Sequence, residues 1–216
     1  MLETLPTPAR WRRRKEARPQ EILEAALAEF AAKGFAAARM DDIARRAGVT
    51  KGTIYLYFEN KEDVFKSLAR ASVGTAIANV ASVAKSFDGS SADLLRLSLS
   101  RMGFLLRTSD RAVLPKIVLA ESGNFPELLR FWRTEVVDRG LELFSFAITR
   151  GVERGEFRSV DPQHTARLCV APILLAAIWR STFAALDTVP YDLEGLIETH
   201  IDVLLKGLSA DGKVSP

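Results

Sequence analysis

The chain has 216 residues, of which 48% are hydrophobic and 26% are charged, and its formal net charge is +3. This composition is typical of a globular protein long enough for one large or two small domains. Because Cys169 is the only cysteine, the sequence excludes a disulfide within the chain and a cysteine-based metal site. We interpret Cys169, which lies in an apolar run, as a small buried hydrophobe.

Positive charge is concentrated at the start of the chain. Residues 1–61 carry 12 Lys and Arg against 8 Asp and Glu, whereas residues 62–216 carry 18 against 19. Residues 1–17 hold two prolines and a cluster of arginines, and this composition favours a mobile basic arm. The arm is either a solvated tail or a segment that follows DNA phosphates and enters the minor groove.

No segment predicts a signal peptide or a membrane span. The basic residues 12–15 are followed by no apolar stretch, and the longest apolar run, residues 168–179, is shorter than the roughly 20 residues that a bilayer requires. We therefore expect a cytoplasmic protein with no membrane partner.

The first three predicted helices are short and close together. Helix one spans about residues 18–33, ends at Gly34, and has one apolar face formed by Ile22, Leu23, Ala26 and Phe30. Helix two has a similar face formed by Met40, Ile43, Ala44 and Ala47. Gly48 ends helix two, because glycine adopts the left-handed conformation most easily.

Thr50 is suited to cap a third helix, in which Ile54 and Phe58 form the buried stripe. The opposite side of that helix carries a cation, a hydroxyl and aromatic rings: Lys51, Thr53, Tyr55 and Tyr57. Two short helices around a glycine turn, the second with such a surface, predict a helix-turn-helix with its recognition helix.

A long fourth helix is predicted from Lys61, and the remainder of the chain indicates helices without a repeat or period-two alternation. Helix starts are indicated near Asp93, Asn124, Asp161 and Asp192. The predicted fold is all-α. An N-terminal three-helix helix-turn-helix DNA-binding domain, residues 18–76, is joined by a long helix to a C-terminal helical ligand-binding and dimerisation domain, residues 77–216.

The pattern of residues 22–35, ILEAALAEFAAKGF, followed by residues 42–61, DIARRAGVTKGTIYLYFENK, resembles the tetracycline-repressor (TetR) family. The likeness covers about residues 18–66 and is very specific. One departure is Arg39, at a helix-capping position that is usually Ser or Thr in the family. Arginine accepts no hydrogen bond, so we expect a slightly frayed helix start, with Asp41 or Asp42 as a substitute cap.

The resemblance implies which residues meet DNA. The positions nearest base edges are Lys51, Gly52, Tyr55 and Leu56, and the positions that grip phosphate are Thr50, Thr53, Tyr57 and Lys61. The alternatives are packing for the two tyrosines and a solvated surface position for Lys61. One unit reads only a few base pairs, so we expect a homodimer on an inverted repeat. The family also implies that two late helices of each subunit form a four-helix dimer interface.

The second half of the chain offers a candidate pocket for an apolar or aromatic small molecule. The candidate residues are Phe104, Glu121, Phe125, Trp132, Arg139, Trp179 and Phe183. Ordinary core packing is the alternative for each aromatic residue. Arg139 lies within an apolar stripe, where it either pairs with Glu135 or Glu121 or holds an anionic ligand.

The function predicted is that of a ligand-responsive transcriptional repressor which binds a palindromic operator as a dimer and is released by a small molecule. One rival is a DNA-binding dimer without a ligand, which would have no cavity beside Trp132. The other rival is a small helical enzyme or carrier, but no nucleophile–base pair or phosphate loop supports catalysis. His164 and His200 lack the spacing of a shared metal site, so we expect neither metal nor cofactor.

Overall fold

The computed structural model describes residues 9–107 and 110–210, with side chains from residue 18 onward. The part of the chain that it describes is helical apart from turns and one isolated antiparallel bridge between Phe157 and Ser209. The predicted all-α class is confirmed. Among the described helices, none is long and apolar enough to cross a membrane.

The chain divides into two compact units, Met1–Leu68 and Ala69–Pro216. The first contains three helices and most of a fourth: α1 (Ala9–Ala37), α2 (Met40–Arg46), α3 (Lys51–Tyr55) and α4 (Lys61–Ala69). We call it the DNA-binding unit and the second the regulatory unit, following the sequence prediction.

In the described part of the regulatory unit there are seven further α-helices: α5 (Thr75–Lys85), α6 (Ser91–Arg107), α7 (Val113–Glu121), α8 (Pro126–Trp132), α9 (Arg139–Glu153), α10 (Pro162–Thr182) and α11 (Leu193–Leu208). A π-helical turn, Arg70–Gly74, connects α4 to α5, and another, Arg133–Asp138, connects α8 to α9. Short 3₁₀ turns, Asp110–Ala112 and Ala184–Leu186, precede α7 and follow α10.

The first helix begins earlier than the sequence indicated. Its backbone is helical from Ala9, so it runs through Pro19, at the cost of the one backbone hydrogen bond that proline cannot donate. Part of the predicted basic arm is therefore helical, and residues 1–8 lie outside the described residues. Gly34 interrupts the helix near its predicted end with a φ of 76°.

Helix starts follow the predicted caps in three places, but at α2, where Asp41 or Asp42 was expected to replace Arg39 as the cap, there is no side-chain capping hydrogen bond. The side chains of Thr50, Asp161 and Asp192 accept hydrogen bonds from the backbone N–H three residues later. At α8 the capping residue is Phe125, because the Asn124 side chain donates to Glu121 instead.

Three phenylalanine rings form the centre of the DNA-binding unit. Phe30, Phe35 and Phe65 are almost wholly buried, and their ring centroids lie 5.3 to 6.2 Å apart. The predicted buried positions Ile54 and Phe58 are also inaccessible to solvent. These large rings bury much apolar surface in a small unit, and they pack α4 against the end of α1.

Candidate DNA-binding surface and regulatory cavity

The turn between α2 and α3 has the backbone that the sequence indicates. Gly48 has a φ of 65°, and a Cβ at that position would meet no atom within 4 Å, so the conformation alone favours glycine. The N–H of Val49 then donates to the carbonyl of Ala44 at 2.9 Å and closes the turn. The turn therefore sets the angle at which α3 leaves α2.

Thr50 prepares the start of α3. Its Oγ1 accepts from the backbone N–H of Thr53 at 3.2 Å, and the two threonine hydroxyl oxygens lie 2.8 Å apart. Capping satisfies one of the free N–H groups at the helix start, where the helix dipole also favours anions. The hydroxyls therefore stand at a helix end that is suited to phosphate.

The surface of α3 is formed by the residues that the resemblance selects for base contact. Lys51, Gly52 and Tyr55 are exposed, and Leu56 is 81% exposed. Thr53 and Tyr57 are half-buried, while Ile54 between them is fully buried. Exposure of a leucine to this degree has no packing benefit, so it leaves an apolar side chain available to a partner.

Lys61 lies at a different kind of position. Its ammonium donates to the carbonyls of Phe35 and Ala36, at 2.9 and 2.8 Å, and lies 4.8 Å from the centroid of the Phe35 ring. These contacts join the start of α4 to the end of α1. Any phosphate contact would come in addition to this internal role.

A charged network fixes α2 against α1. The carboxylate of Glu29 is buried and pairs with Lys33 and Arg46, each at 2.9 Å. Hydrogen bonds from Lys33 and Arg46 lower the pKa of Glu29 below its ordinary value. Lys33 also pairs with Asp42 at 3.0 Å, and that hydrogen bond lowers the pKa of Asp42. The position of α2 is thus set by charge-assisted hydrogen bonds as well as by packing.

The regulatory unit contains a cavity of about 200 Å³. Its walls come from α5 to α10 and from the short turns that join them, and they are largely apolar. Trp132, Val136, Phe144 and Ile173 are among the buried lining residues. Two arginines, Arg101 and Arg111, also line the cavity. Such a combination of apolar walls and few polar groups is typical of sites for small molecules.

Comparison with protein families accounts for both units. The family described as "Bacterial regulatory proteins, tetR family" matches residues 22–68. A second family, described as "AefR-like transcriptional repressor, C-terminal domain", matches residues 92–207, which is more than half of the chain. The chain belongs to the TetR family. It is a DNA-binding transcriptional regulator and not an enzyme.

Relatives of this TetR-family regulator match along nearly its whole length. It is 26% identical to the fatty acid metabolism regulator protein of Bacillus subtilis, over 90% of this chain and 98% of that protein. The structure of the regulator FadR from Bacillus subtilis in complex with stearoyl-CoA is 27% identical, covering 88% of this chain and 98% of that one, with a TM-score of 0.73. The SmeT–triclosan complex, at 23% identity, shares the fold over 93% of this chain and 95% of its own, with a TM-score of 0.78.

The cavity changes the set of candidate ligand residues. Of the seven predicted positions, Trp132 lines the cavity. Phe104 and Phe183 are exposed, Phe125 is half-buried and is the capping residue of α8, and Glu121 accepts from Asn124. Trp132 is thus the predicted position that coincides with this cavity, and the others lie outside its lining.

Arg139 and Trp179 are engaged on the surface. Arg139 pairs with Glu135 at 3.0 Å, which is one of the two structural alternatives that the sequence left open. It borders a separate shallow groove. Trp179 stacks on Tyr191 and donates its indole N–H to Asp187 at 2.9 Å. Both side chains thus have internal partners outside the cavity.

Sequence reasoning missed Arg101 and Arg111 as cavity residues. Arg101 lies on α6 one turn before Leu105, and three residues after Ser98, both of which line the cavity. Helical spacing alone could have grouped these three residues on one side. No sequence signal showed that this side faces a cavity.

The cysteine and one of the two histidines lie at the contact between α10 and α11. Cys169 is fully buried, and burial raises the pKa of its thiol to about 12. Nε2 of His200 lies 3.1 Å from the carbonyl oxygen of Cys169 and so links α11 to α10. Within the described ranges, no group of His, Cys, Asp and Glu side chains could hold a metal ion.

Proposed function

We propose that this regulator is a cytoplasmic homodimeric repressor that binds an inverted-repeat operator and is released by an amphipathic small molecule. In this proposal α3 enters the major groove. Lys51, Gly52, Tyr55 and Leu56 meet base edges there, and Thr50, Thr53, Tyr57 and Lys61 contact phosphates. The cavity of the regulatory unit holds the ligand.

The faces of α10 and α11 that remain uncovered in one chain support the dimer. On α10, Leu168 and Leu175 are 62% and 59% exposed and lie seven residues apart, which places them on one side of the helix. On α11, Leu196 and Val203 are exposed with the same spacing. Exposed apolar stripes of this kind are typical of helices that pack against a partner. A second copy would cover them by forming a four-helix interface.

The cavity is the observation on which the proposed ligand response rests. A version of this protein without a ligand would fill its regulatory core with its own side chains, as most protein interiors do. Instead, apolar side chains surround an empty volume beside Trp132, and Arg101 and Arg111 are the cationic members of its walls. A ligand with an apolar body and an anionic end matches both properties.

The relative that was crystallised with stearoyl-CoA supports the same class of ligand. Stearoyl-CoA has a long apolar chain and an anionic head, and that relative is similar over almost the whole chain. We propose that the apolar part of the ligand occupies the cavity and that Arg101 and Arg111 bind its anionic part.

One continuous helical segment of the chain runs from the DNA-binding unit into the cavity wall. The helical segment from Lys61 to Lys85 continues through α4, the π-helical turn and α5. Its later part supplies Val73, Ala76, Ile77 and Val80 to the cavity. We propose that the ligand favours a conformation in which the two recognition helices no longer fit successive major grooves.

Selection of bound sequences from a random duplex DNA pool tests the operator proposal. The purified protein, at near-physiological salt, should recover an inverted repeat with half-sites about one helical turn, roughly 10 base pairs, apart or more. Recovery of single half-sites would contradict the dimer. Binding without any sequence preference, with a steep salt dependence only, would contradict the operator itself.

Release of that operator by ligands tests the cavity proposal. Stearoyl-CoA should lower operator affinity, and Arg101→Ala should raise the concentration of stearoyl-CoA required by about tenfold, because a charge-assisted hydrogen bond is lost. Arg96→Ala is the matched control, since Arg96 is an exposed arginine on the same helix and does not line the cavity. An equal response of the two variants would contradict the role of Arg101.

A further inference from the structure

An ion pair on the surface of the DNA-binding unit connects the two helices of the helix-turn-helix. Asp41 lies in the first turn of α2, and Lys51 is the first residue of α3. The ammonium nitrogen of Lys51 is 3.1 Å from Oδ2 of Asp41. Their side chains are 67% and 57% exposed, respectively, so this pair is presented to solvent beside the recognition helix.

The neighbouring carboxylate, Asp42, has the structural role that Asp41 lacks. Asp42 is mostly covered and pairs with Lys33 at 3.0 Å and with Arg45, and it thereby helps to hold α2 against α1. Asp41 takes no part in that network. Exposed ion pairs add little to stability, and a carboxylate near DNA is repelled by phosphates. The helix dipole favours a carboxylate in the first turn of α2, but neither the dipole, nor stability, nor general DNA affinity explains why this carboxylate pairs with the first residue of α3.

The chemistry of a base-pair edge does explain it. In the major groove a G·C pair presents the acceptors N7 and O6 of guanine next to the N4 amino donor of cytosine. O6 and N4 are hydrogen-bonded to each other in the pair, at about 2.9 Å. An ammonium is only a donor and an ionised carboxylate is only an acceptor. The Asp41–Lys51 pair therefore has the same spacing as the base-pair edge and the complementary polarity.

We infer that Asp41 and Lys51 together read one G·C base pair in each half-site. Lys51 donates to O6 and N7 of guanine, and Asp41 accepts from the N4 amino group of cytosine. This inference rests on the proposed position of α3 in the major groove. Asp41 is a specificity-determining residue in this arrangement, because it selects cytosine as the base that faces it and guanine as the base that faces Lys51.

The paired charges also determine which base pair is rejected most strongly. Reversal to C·G places the amino donor against the ammonium and the two guanine acceptors against the carboxylate. A T·A pair keeps the order of one acceptor and one donor, but it replaces guanine N7 by a methyl group on the lysine side. The order of preference is therefore G·C, then T·A, with C·G last.

The test uses the full-length protein and its selected operator, with each of the four base pairs placed symmetrically at every position of the half-sites. The wild-type protein should prefer G·C over C·G at one position by at least about tenfold. Asp41→Ala should remove most of that preference and leave the other positions unchanged. Lys51→Ala should affect the same position, and the double variant should lose less than the sum of the two single losses.

Two further variants serve as controls. Glu21→Ala removes an exposed carboxylate from α1, and it should leave the base preference at every position unchanged. Asp41→Asn keeps the side-chain size but adds a donor, so it too should lose the discrimination against C·G. This variant replaces Asp41→Ala if thermal unfolding shows that the alanine variant is destabilised.

The outcomes separate this inference from the proposed function. A uniform rise in affinity for all operators on Asp41→Ala would mean that Asp41 only neutralises Lys51, and it would overturn the inference. Unchanged base preferences would overturn it as well, while operator binding as proposed would stand. If the wild-type protein showed no sequence preference, the proposal that it binds a specific operator would be overturned instead.

Discussion

The two units of this regulator differ in how completely each is packed. In the DNA-binding unit, internal contacts join α1 to α2 and α4: three buried phenylalanine rings, the buried Glu29 network and the lysine at the start of α4. The regulatory unit leaves a cavity in its interior, and two of its helices keep apolar faces uncovered.

This difference fits the roles that we propose for the two units. A surface that reads base edges needs side chains held in fixed positions before DNA arrives, because ordering them on binding would reduce affinity. A unit that responds to a ligand needs space for it, and a helix face left uncovered is available to a second copy. We expect the two units to respond differently to the same kind of substitution.

The largest effect is expected at the uncovered face of α10. Leu175→Glu would place an unpaired charge in an apolar interface, so the proposed dimer should become a monomer and operator affinity should fall sharply. Sedimentation velocity would measure the change in mass. Leu119→Glu, at a similarly exposed leucine on α7, is the control and should remain dimeric. A dimeric Leu175→Glu protein would place the interface elsewhere.

A matched pair of alanines tests the difference in packing directly. Ala26 in α1 and Ala177 in α10 are both buried, but Ala177 lines the cavity. Ala26→Leu should lower the free energy of unfolding by about 1–3 kcal/mol, because a filled core has no room for the added carbons. Ala177→Leu should cost clearly less, since the cavity can receive them. Urea unfolding measures both.

The same substitution also bears on the ligand. Ala177→Leu should weaken the release of operator by stearoyl-CoA, because the added side chain occupies ligand space, whereas Ala26→Leu should not change it. Equal costs for the two leucine variants would show that the regulatory core is packed as tightly as the DNA-binding core.

A smaller and pH-dependent effect is expected at Glu29. Glu29→Gln should lower the free energy of unfolding by about 1–2 kcal/mol at pH 7, since two hydrogen bonds from cations are weakened. Because the pKa of Glu29 is lowered on folding, its stabilising effect is present above its ordinary pKa of 4.5 and disappears as the pH falls through the folded-state value.

Urea unfolding between pH 7 and pH 3 measures this effect. The difference in stability between the wild-type protein and Glu29→Gln should shrink below about pH 4.5. Glu21→Gln, which removes an exposed carboxylate from the same helix, is the surface control for this comparison. A difference that stays constant with pH would contradict an ionic role for Glu29.

The sequence predicted the DNA-binding unit well because its signals are local. The glycine turn, the threonine cap and the four-residue spacing of Ile54 and Phe58 each depend on residues within one or two helical turns. The structure has all three: Gly48 with positive φ, Thr50 as the cap, and both apolar residues buried. The helices in the rest of the chain could likewise be predicted from the spacing of apolar residues and from helix caps.

The tertiary structure alone decided which side chains form the regulatory cavity. Composition drew attention to aromatic residues such as Phe104 and Trp179, but these lie on the surface, whereas Arg101 and Arg111 line the cavity. Periodicity places residues on a helix face but does not say which neighbour that face meets. The cavity depends on how several helices pack, and its lining residues extend along the chain from Val73 to Ala177.

The ion pair of Asp41 with Lys51 is a second contact that the sequence does not predict, although the two residues are only ten positions apart. From the sequence we expected Asp41 or Asp42 only to cap α2, because Asp41 and Lys51 belong to different helices and nothing in the spacing shows that their side chains meet. The angle at the Gly48 turn brings them within 3.1 Å. Local interactions therefore determined the elements of this regulator, and the packing of those elements determined which charges and cavities they present.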